Sequence, residues 1–262
     1  MKIIGFCNLK GGVGKTTMCQ NLASALASLG RRIAVLDLDP QSNLTSGWGI
    51  TVEEGEPYVY DFLVGESSLS DLAIKREGVD VIPSSLDLAV AELQLEREPG
   101  RDSLLRSSLE NVPKDEYDYI FCDSPPQLGL FTRNVLAAAD EIMVPLESEF
   151  YSLAGVRLLD STVKLFQKRL NKGLEVGGVV LTRHNPKVVI NRDVQREVFA
   201  YYGDVLYRRF VRQNISIVEA SGAGMSVLSY DRNCNGARDY RLLAEEFEER
   251  QESHGEKKTQ SA

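Results

Sequence analysis

Short apolar runs alternate with longer amphipathic stretches along nearly the whole chain. The runs 3–8, 33–37, 79–82, 119–123, 141–145, 176–182 and 227–230 read as strands. Most are apolar on both faces, the pattern of parallel strands covered by helices on each side. Helical periodicity fills the gaps at 15–29, 86–95, 103–109, 151–170, 192–201 and 237–250. This alternation predicts an α/β fold: a doubly wound, mostly parallel sheet flanked by helices, with right-handed crossovers. With no internal repeat and no extended linker, residues 1–250 read as one domain. Residues 251–262 are polar and aperiodic and are expected to form a disordered tail.

Composition narrows the compartment. None of the apolar runs reaches the ~18–20 residues needed to cross a bilayer. The N-terminus goes straight into a strand pattern, so no secretory signal is expected. Cys7, Cys19, Cys122 and Cys234 lack paired spacing, and Cys7 and Cys122 lie in apolar runs where a thiol acts as a small hydrophobe. Reduced thiols and a cytoplasmic location follow. The net charge is −8, yet residues 160–241 carry 14 Lys and Arg against 8 Asp and Glu. An overall average therefore hides a basic third of the chain.

The chemistry concentrates at three places. Between the first strand and an Ala- and Leu-rich helix stands Lys10-Gly11-Gly12-Val13-Gly14-Lys15-Thr16-Thr17. Glycines let the backbone turn tightly and present amide groups, and the helix N-terminus adds unpaired N–H donors. Lys15 can then neutralise the terminal phosphates of a nucleotide and the Thr16 hydroxyl can hold magnesium. The usual pattern wants glycine at position 9; this chain has Leu9 there and a second lysine, Lys10. The second place is Asp37-Leu38-Asp39-Pro40-Gln41, where a carboxylate at a strand's carboxyl end can orient a water for in-line attack. The third is the apolar strand that ends at Asp123 before Ser124-Pro125-Pro126, which places a carboxylate to hold magnesium through a water.

With these elements together, the chain resembles ParA-type partition ATPases of the deviant-Walker P-loop class, the group that contains Soj and MinD. The resemblance spans about residues 1–250. It rests on 10–17, 37–41, Asn-Leu-Thr-Ser-Gly at 43–47, Asp-Ser-Pro-Pro-Gln-Leu-Gly at 123–129, Ala-Ala-Ala-Asp-Glu at 137–141 and Glu-Phe-Tyr-Ser-Leu-Ala-Gly at 149–155. It implies ATP and magnesium as cofactors, bound by 10–17 with Asn214 against adenine and with Thr16 and Asp123 at the metal. It also implies a homodimer with ATP sandwiched between the subunits, in which Lys10 reaches the partner's nucleotide. Lys15 and Asp39 complete the catalytic set, Asp39 as the water-positioning group; 39–50 and 123–134 are the two switches. Hydrolysis in such proteins is slow until a ParB-like or other cargo adaptor stimulates it. The dimer binds DNA without sequence preference, on the nucleoid, and the cycle positions a plasmid, a chromosome or another cargo.

The resemblance departs at 211–225, where compact relatives carry Pro-Arg-Asn-Val-Arg. Arg212 stands for the proline, Gln213 and Ser216 for the arginines, and Met225 for a lysine. Basic groups associated with DNA contact are thereby lost. Compensation is expected from Lys164, Lys168 and Lys172 on the face of 151–170 opposite a Val156, Leu159, Val163, Phe166, Leu170 stripe, and from Arg192, Arg196, Arg208, Arg209 and Arg212. A MinD-like membrane cycle is the alternative. It is disfavoured because the last helical stretch surrounds Tyr240, Leu243, Ala244 and Phe247 with glutamates rather than with Lys and Arg. An iron–sulfur relative would want cysteines near the second switch or a C-x-x-C pair, and no cysteine follows Asp123 within 123–134.

Overall fold

A computed structural model describes the backbone over residues 1–148 and 152–260 and the side chains over 1–148 and 157–253. Among the described residues the sheet has seven strands: β1 (Lys2–Phe6), β2 (Ile33–Asp37), β3 (Ile74–Arg76), β4 (Val79–Ile82), β5 (Tyr119–Asp123), β6 (Glu141–Glu147) and β7 (Glu175–Thr182). Their order is β3-β4-β2-β5-β1-β6-β7, parallel throughout except for the β3–β4 hairpin at one edge. Helices α1 (Lys15–Ser28), α2 (Asn43–Gly47), α3 (Val59–Leu63), α4 (Leu69–Leu72), α5 (Leu88–Leu95) and α6 (Leu104–Leu109) precede β5. After it come α7 (Leu130–Ala138), α8 (Ser152–Arg169), α9 (Val189–Tyr202), α10 (Ile215–Gly222), α11 (Val227–Tyr230) and α12 (Asn235–Gln260).

Strand alternation divides the core in two. Ala34, Leu36, Ile120, Ile142, Val144 and Leu181 face the layer built by α3 to α9. Ile4, Phe6, Val35, Phe121 and Val180 face α1, α2 and α10 to α12. The stripe Tyr240, Leu243, Ala244 and Phe247 docks α12 on this second face, with Phe247 edge-on to Tyr119 and Phe121. Burying each of the larger side chains is worth about 1.5–3 kcal/mol.

The structure corrects four sequence expectations. Residues 227–230 form the short helix α11, not a strand, because Ser226 caps it by accepting from Ser229 N and Val227 N donates to Asn21 Oδ1. The seventh strand is instead β3, three residues joined to β4 through Glu77 and Gly78, both in the left-handed region. Leu170, expected on the buried stripe, is 40% exposed beyond the end of α8, whereas Leu159, Val163 and Phe166 are buried; Val156 lies outside the described side chains. The stretch 251–262, expected as a disordered tail, continues α12 to Gln260, and Gln251 is held by Lys2 and by Glu141 Oε2 at 3.1 Å. Within the motif 149–155, residues 149–151 lie outside the described residues. None of the described helices is long and apolar enough to cross a membrane.

Candidate functional site

The first strand ends in the core, and the chain then turns over 8–14 before entering α1. Asn8 pins the turn: its Nδ2 donates to Pro145 O at 2.7 Å and its Oδ1 accepts from Lys10 N at 3.0 Å. Gly12 (φ 76°) and Gly14 (φ 91°) occupy the left-handed region that a Cβ would strain, which explains glycine at these two positions. Gly14 precedes α1 without a side-chain cap, so the first-turn amides remain available to an anion. Thr182, at the end of β7, fixes the loop by donating to Val13 O at 2.9 Å.

The two aspartates that end β2 and β5 are register partners in the ladder. Asp123 is fully buried, and Thr16 Oγ1 donates to its Oδ2 at 2.6 Å. Its Oδ1 is buried without a hydrogen-bond partner. Burial first, and the neighbouring Asp37 charge second, push Asp123 well above the usual carboxylate range, against the pull of Thr16 and Lys15. Lys15 is itself buried; desolvation lowers its pKa against the opposing charges of Asp123, Cys7 and Asp39. An orphaned buried carboxylate oxygen beside a hydroxyl is a hard-oxygen donor set, and it fits magnesium.

The structure separates the roles of Asp37 and Asp39. Asp37 is saturated: Oδ2 accepts from Thr45 N (2.9 Å) and Thr45 Oγ1 (2.7 Å), and Oδ1 from Asp39 N (3.2 Å). It anchors the loop entering α2, and burial raises its pKa to about 6. Asp39 is 7% exposed, accepts from Gln41 N at 2.9 Å through Oδ1 and contributes to the field on Lys15. Trp48, which closes α2, is 1% exposed and belongs to the core. In the loop after β5, Ser124 donates to Phe6 O (2.8 Å), Thr132 to Gln127 O (2.6 Å), and Glu92 on α5 accepts from Leu130 N (3.0 Å) at the start of α7.

Beside the loop opens a cavity of about 790 Å³ between Val13, Gly14 and Thr17 on one side and the segment 211–218 on the other. Asn214 lines it while capping α10 by accepting from Ser216 N at 2.8 Å. Such a volume suits a nucleoside-sized ligand. A groove of about 520 Å³ between α3 and α5–α6 is remote from all of these groups.

Lys10 stands at the tip of the loop, its side chain 43% exposed, with Glu147 Oε2 at 3.5 Å. The basic residues sort into two sets. Arg212 is held by Asp239 (2.6 Å) and Arg208 by Glu249 (2.7 Å) and Glu246, so α12 neutralises much of that cluster, with Arg209 exposed beside it. On α8 and α9, Lys164 pairs with Asp160 and Arg196 with Asp193, while Lys168 and Arg192, and Lys172 in the turn after α8, are exposed. His184 is buried, with Nδ1 2.8 Å from Ser148 Oγ and its ring against Phe210; burial lowers its pKa. Sequence reasoning missed three supports: Asn8, Thr182, and Ser84, whose hydroxyl donates to Asp39 O at 3.0 Å. Each is a single polar residue whose partner lies far along the chain, so no local pattern marks it.

A glycine-turned loop opening a helix, a buried lysine at its base, and a hydroxyl–carboxylate pair across the sheet define a P-loop nucleotide-binding protein. The AAA domain family matches residues 1–176. The sporulation initiation inhibitor protein Soj of Bacillus subtilis is 42% identical over 247 residues, covering 94% of this chain and 97% of that one. The chromosome partitioning protein ParA of Caulobacter vibrioides is 39% identical over 249 residues, covering 94% and 93%. Among solved structures, cobyrinic acid a,c-diamide synthase from Mycobacterium smegmatis with bound ADP and magnesium superposes with a TM-score of 0.80 at 29% identity, covering 94% and 93%. The chain belongs to the ParA/Soj family of deviant-Walker P-loop ATPases.

Proposed function

We propose that the chain is a magnesium-dependent ATP hydrolase of the partition type. It forms ATP-sandwich homodimers, binds DNA without sequence preference, and hydrolyses slowly until a ParB-like or other adaptor protein stimulates it. The cycle segregates or positions a plasmid, a chromosome or another cargo on the nucleoid in the cytoplasm. One observation carries the nucleotide reading: Thr16 Oγ1 donates to Asp123 Oδ2, which leaves Asp123 Oδ1 buried without a partner, at the base of a glycine-turned loop whose lysine, Lys15, is also buried. Thr16 and Asp123 would hold magnesium, which neutralises phosphate charge when bound. Residues 10–17 cradle the phosphates, Asn214 bounds the base, and Asp39 orients the attacking water.

Exposed Lys10 suits the cross-subunit role at the partner's nucleotide. For DNA, the exposed Lys168, Lys172 and Arg192 support phosphate-backbone contact, and Lys164 and Arg196, which pair with Asp160 and Asp193, are secondary candidates. Arg208 and Arg212 contribute less, because acids of α12 already neutralise them. The test is binding of random-sequence duplex DNA with ATP, ADP or no nucleotide across a salt series. The expected result is binding that needs ATP and weakens steeply with salt. Absence of binding in every state would exclude DNA as the matrix and leave the nucleotide chemistry standing.

A further inference from the structure

At the mouth of the phosphate loop one carboxylate serves two cations. Glu147, the last residue of β6, places Oε1 2.9 Å from Arg183 Nη1 and Oε2 3.5 Å from Lys10 Nζ. Its side chain is 13% exposed, against 56% for Arg183 and 43% for Lys10. Glu147 and Arg183 both line the cavity they share with Val13, Gly14 and Thr17. Arg183 follows Thr182, whose hydroxyl fixes the loop, so the position of its backbone is tied to that of the phosphate loop.

Arg183 also sits at φ 48°, in the left-handed region that a residue with a Cβ occupies at a cost of order 1 kcal/mol. An exposed ion pair contributes about 1 kcal/mol or less and needs no such backbone. The unfavourable turn is therefore not accounted for by the Glu147 contact alone. Its effect is to set a guanidinium, the planar fork that matches phosphate oxygens, on the wall of the cavity beside the loop.

We propose that Arg183 is a polyphosphate-binding residue of this site, and that Glu147 is the resting counter-ion it shares with Lys10. The inference rests on the reading that the cavity takes a nucleotide. The incoming phosphates carry the same sign of charge as Glu147, so they repel the carboxylate, take over Arg183 and leave Lys10 to turn outward. Glu147 thus lowers the affinity of the empty site for anions and keeps Lys10 at the loop until a polyphosphate arrives. Its removal should strengthen binding, whereas removal of Arg183 should weaken it.

The test is calorimetric binding of magnesium-ATP, and separately of pyrophosphate, to the full-length protein. The variants are Arg183→Gln, Arg183→Lys, Arg183→Gly, Glu147→Gln and the Arg183→Gln/Glu147→Gln pair. Loss of one charge-assisted phosphate contact weakens binding about tenfold in Arg183→Gln, and Lys recovers part of it. Arg183→Gly accepts the left-handed backbone without strain, so its melting temperature is kept while its affinity falls as in Arg183→Gln. Glu147→Gln tightens pyrophosphate binding by roughly threefold or more, and by less in the Arg183→Gln background, as expected of coupled sites. Wild-type affinity in both Arg183→Gln and Arg183→Gly, or weaker binding in Glu147→Gln, would overturn the proposal. The nucleotide reading is judged separately by wild-type binding and its loss in Lys15→Ala; with these intact, failure of the Arg183 variants refutes this inference alone.

Discussion

Replacing Asp123 with Asn separates the carboxylate's charge from its hydrogen bond. Asn keeps an oxygen to accept from Thr16 Oγ1, which lies 2.6 Å away, and removes a charge that burial and Asp37 both oppose. The unliganded Asp123→Asn protein should therefore melt at or above the wild-type temperature. Magnesium is a different matter. Loss of a carboxylate that would hold the metal costs about 10–100-fold in affinity, or about 1.4–2.7 kcal/mol. With ATP at about 100 times its Kd, bound ligand stabilises the wild type by about 2.7 kcal/mol, which in a chain of this size is about 5–10 °C. The variant should lose half or more of the magnesium-dependent part of that shift. The assay is thermal melting followed by fluorescence of Trp48, the single tryptophan, which is buried at the end of α2. It is run without ligand, with ATP plus a chelator, and with ATP plus magnesium. Lowering the pH should shrink the wild-type magnesium increment, because protons compete with the metal for Asp123, and should leave the variant flat. A fall of several degrees in the unliganded variant would mean that the charge is a structural partner of Thr16. A full magnesium increment in the variant would remove Asp123 from the metal site.

Three further outcomes follow from the same geometry. Asp39→Ala should bind ATP normally and lower single-turnover phosphate release by roughly a hundredfold, the scale of a lost proton-handling or water-orienting group; unchanged turnover excludes that role. Asp37 has a folded pKa of about 6 against 3.8 for the free side chain, so the native state holds its proton more tightly. Its contribution to stability is fully present below pH 3.8 and lost as pH rises through 6. The difference in unfolding free energy between wild type and Asp37→Asn should change by about 3 kcal/mol across that window in denaturant titrations, and a pH-independent difference would contradict it. Gly178→Ala should destabilise by about 1–3 kcal/mol in the same titrations, because its Cβ would lie 2.8 Å from Met143 Sδ and against the Tyr207 ring.

Six of the expected strands are present within a residue or two, because a buried parallel strand writes a continuous apolar run that periodicity can read. The turn at 10–17 and the strand-end aspartates at 37 and 123 were legible for a related reason. A tight turn needs glycine, a phosphate needs a lysine at the base of the turn, and strand ends carry carboxylates at one edge of the sheet. These demands are local, and local demands leave local patterns. Residues 227–230 misled because four apolar or small residues suit a strand or a helical turn equally. The choice fell to Ser226 and to Asn21, more than 200 residues away in sequence. β3 escaped notice because Ile74-Lys75-Arg76 gains its strand character only by pairing with β4 at an exposed edge.

The same distinction runs through the charges. The sequence established that residues 160–241 are basic, a phosphate loop with two lysines, and the order of the aspartates. Only the tertiary structure decided that α12 neutralises Arg208 and Arg212, that Asp37 is an anchor while Asp123 keeps a free oxygen, and that Glu147 joins Lys10 to Arg183. An ion's counter-ion and its exposure depend on what packs against it. Apart from Asp37 and Thr45, the groups in contact here are separated by tens to more than a hundred residues, beyond the reach of any local pattern in the chain.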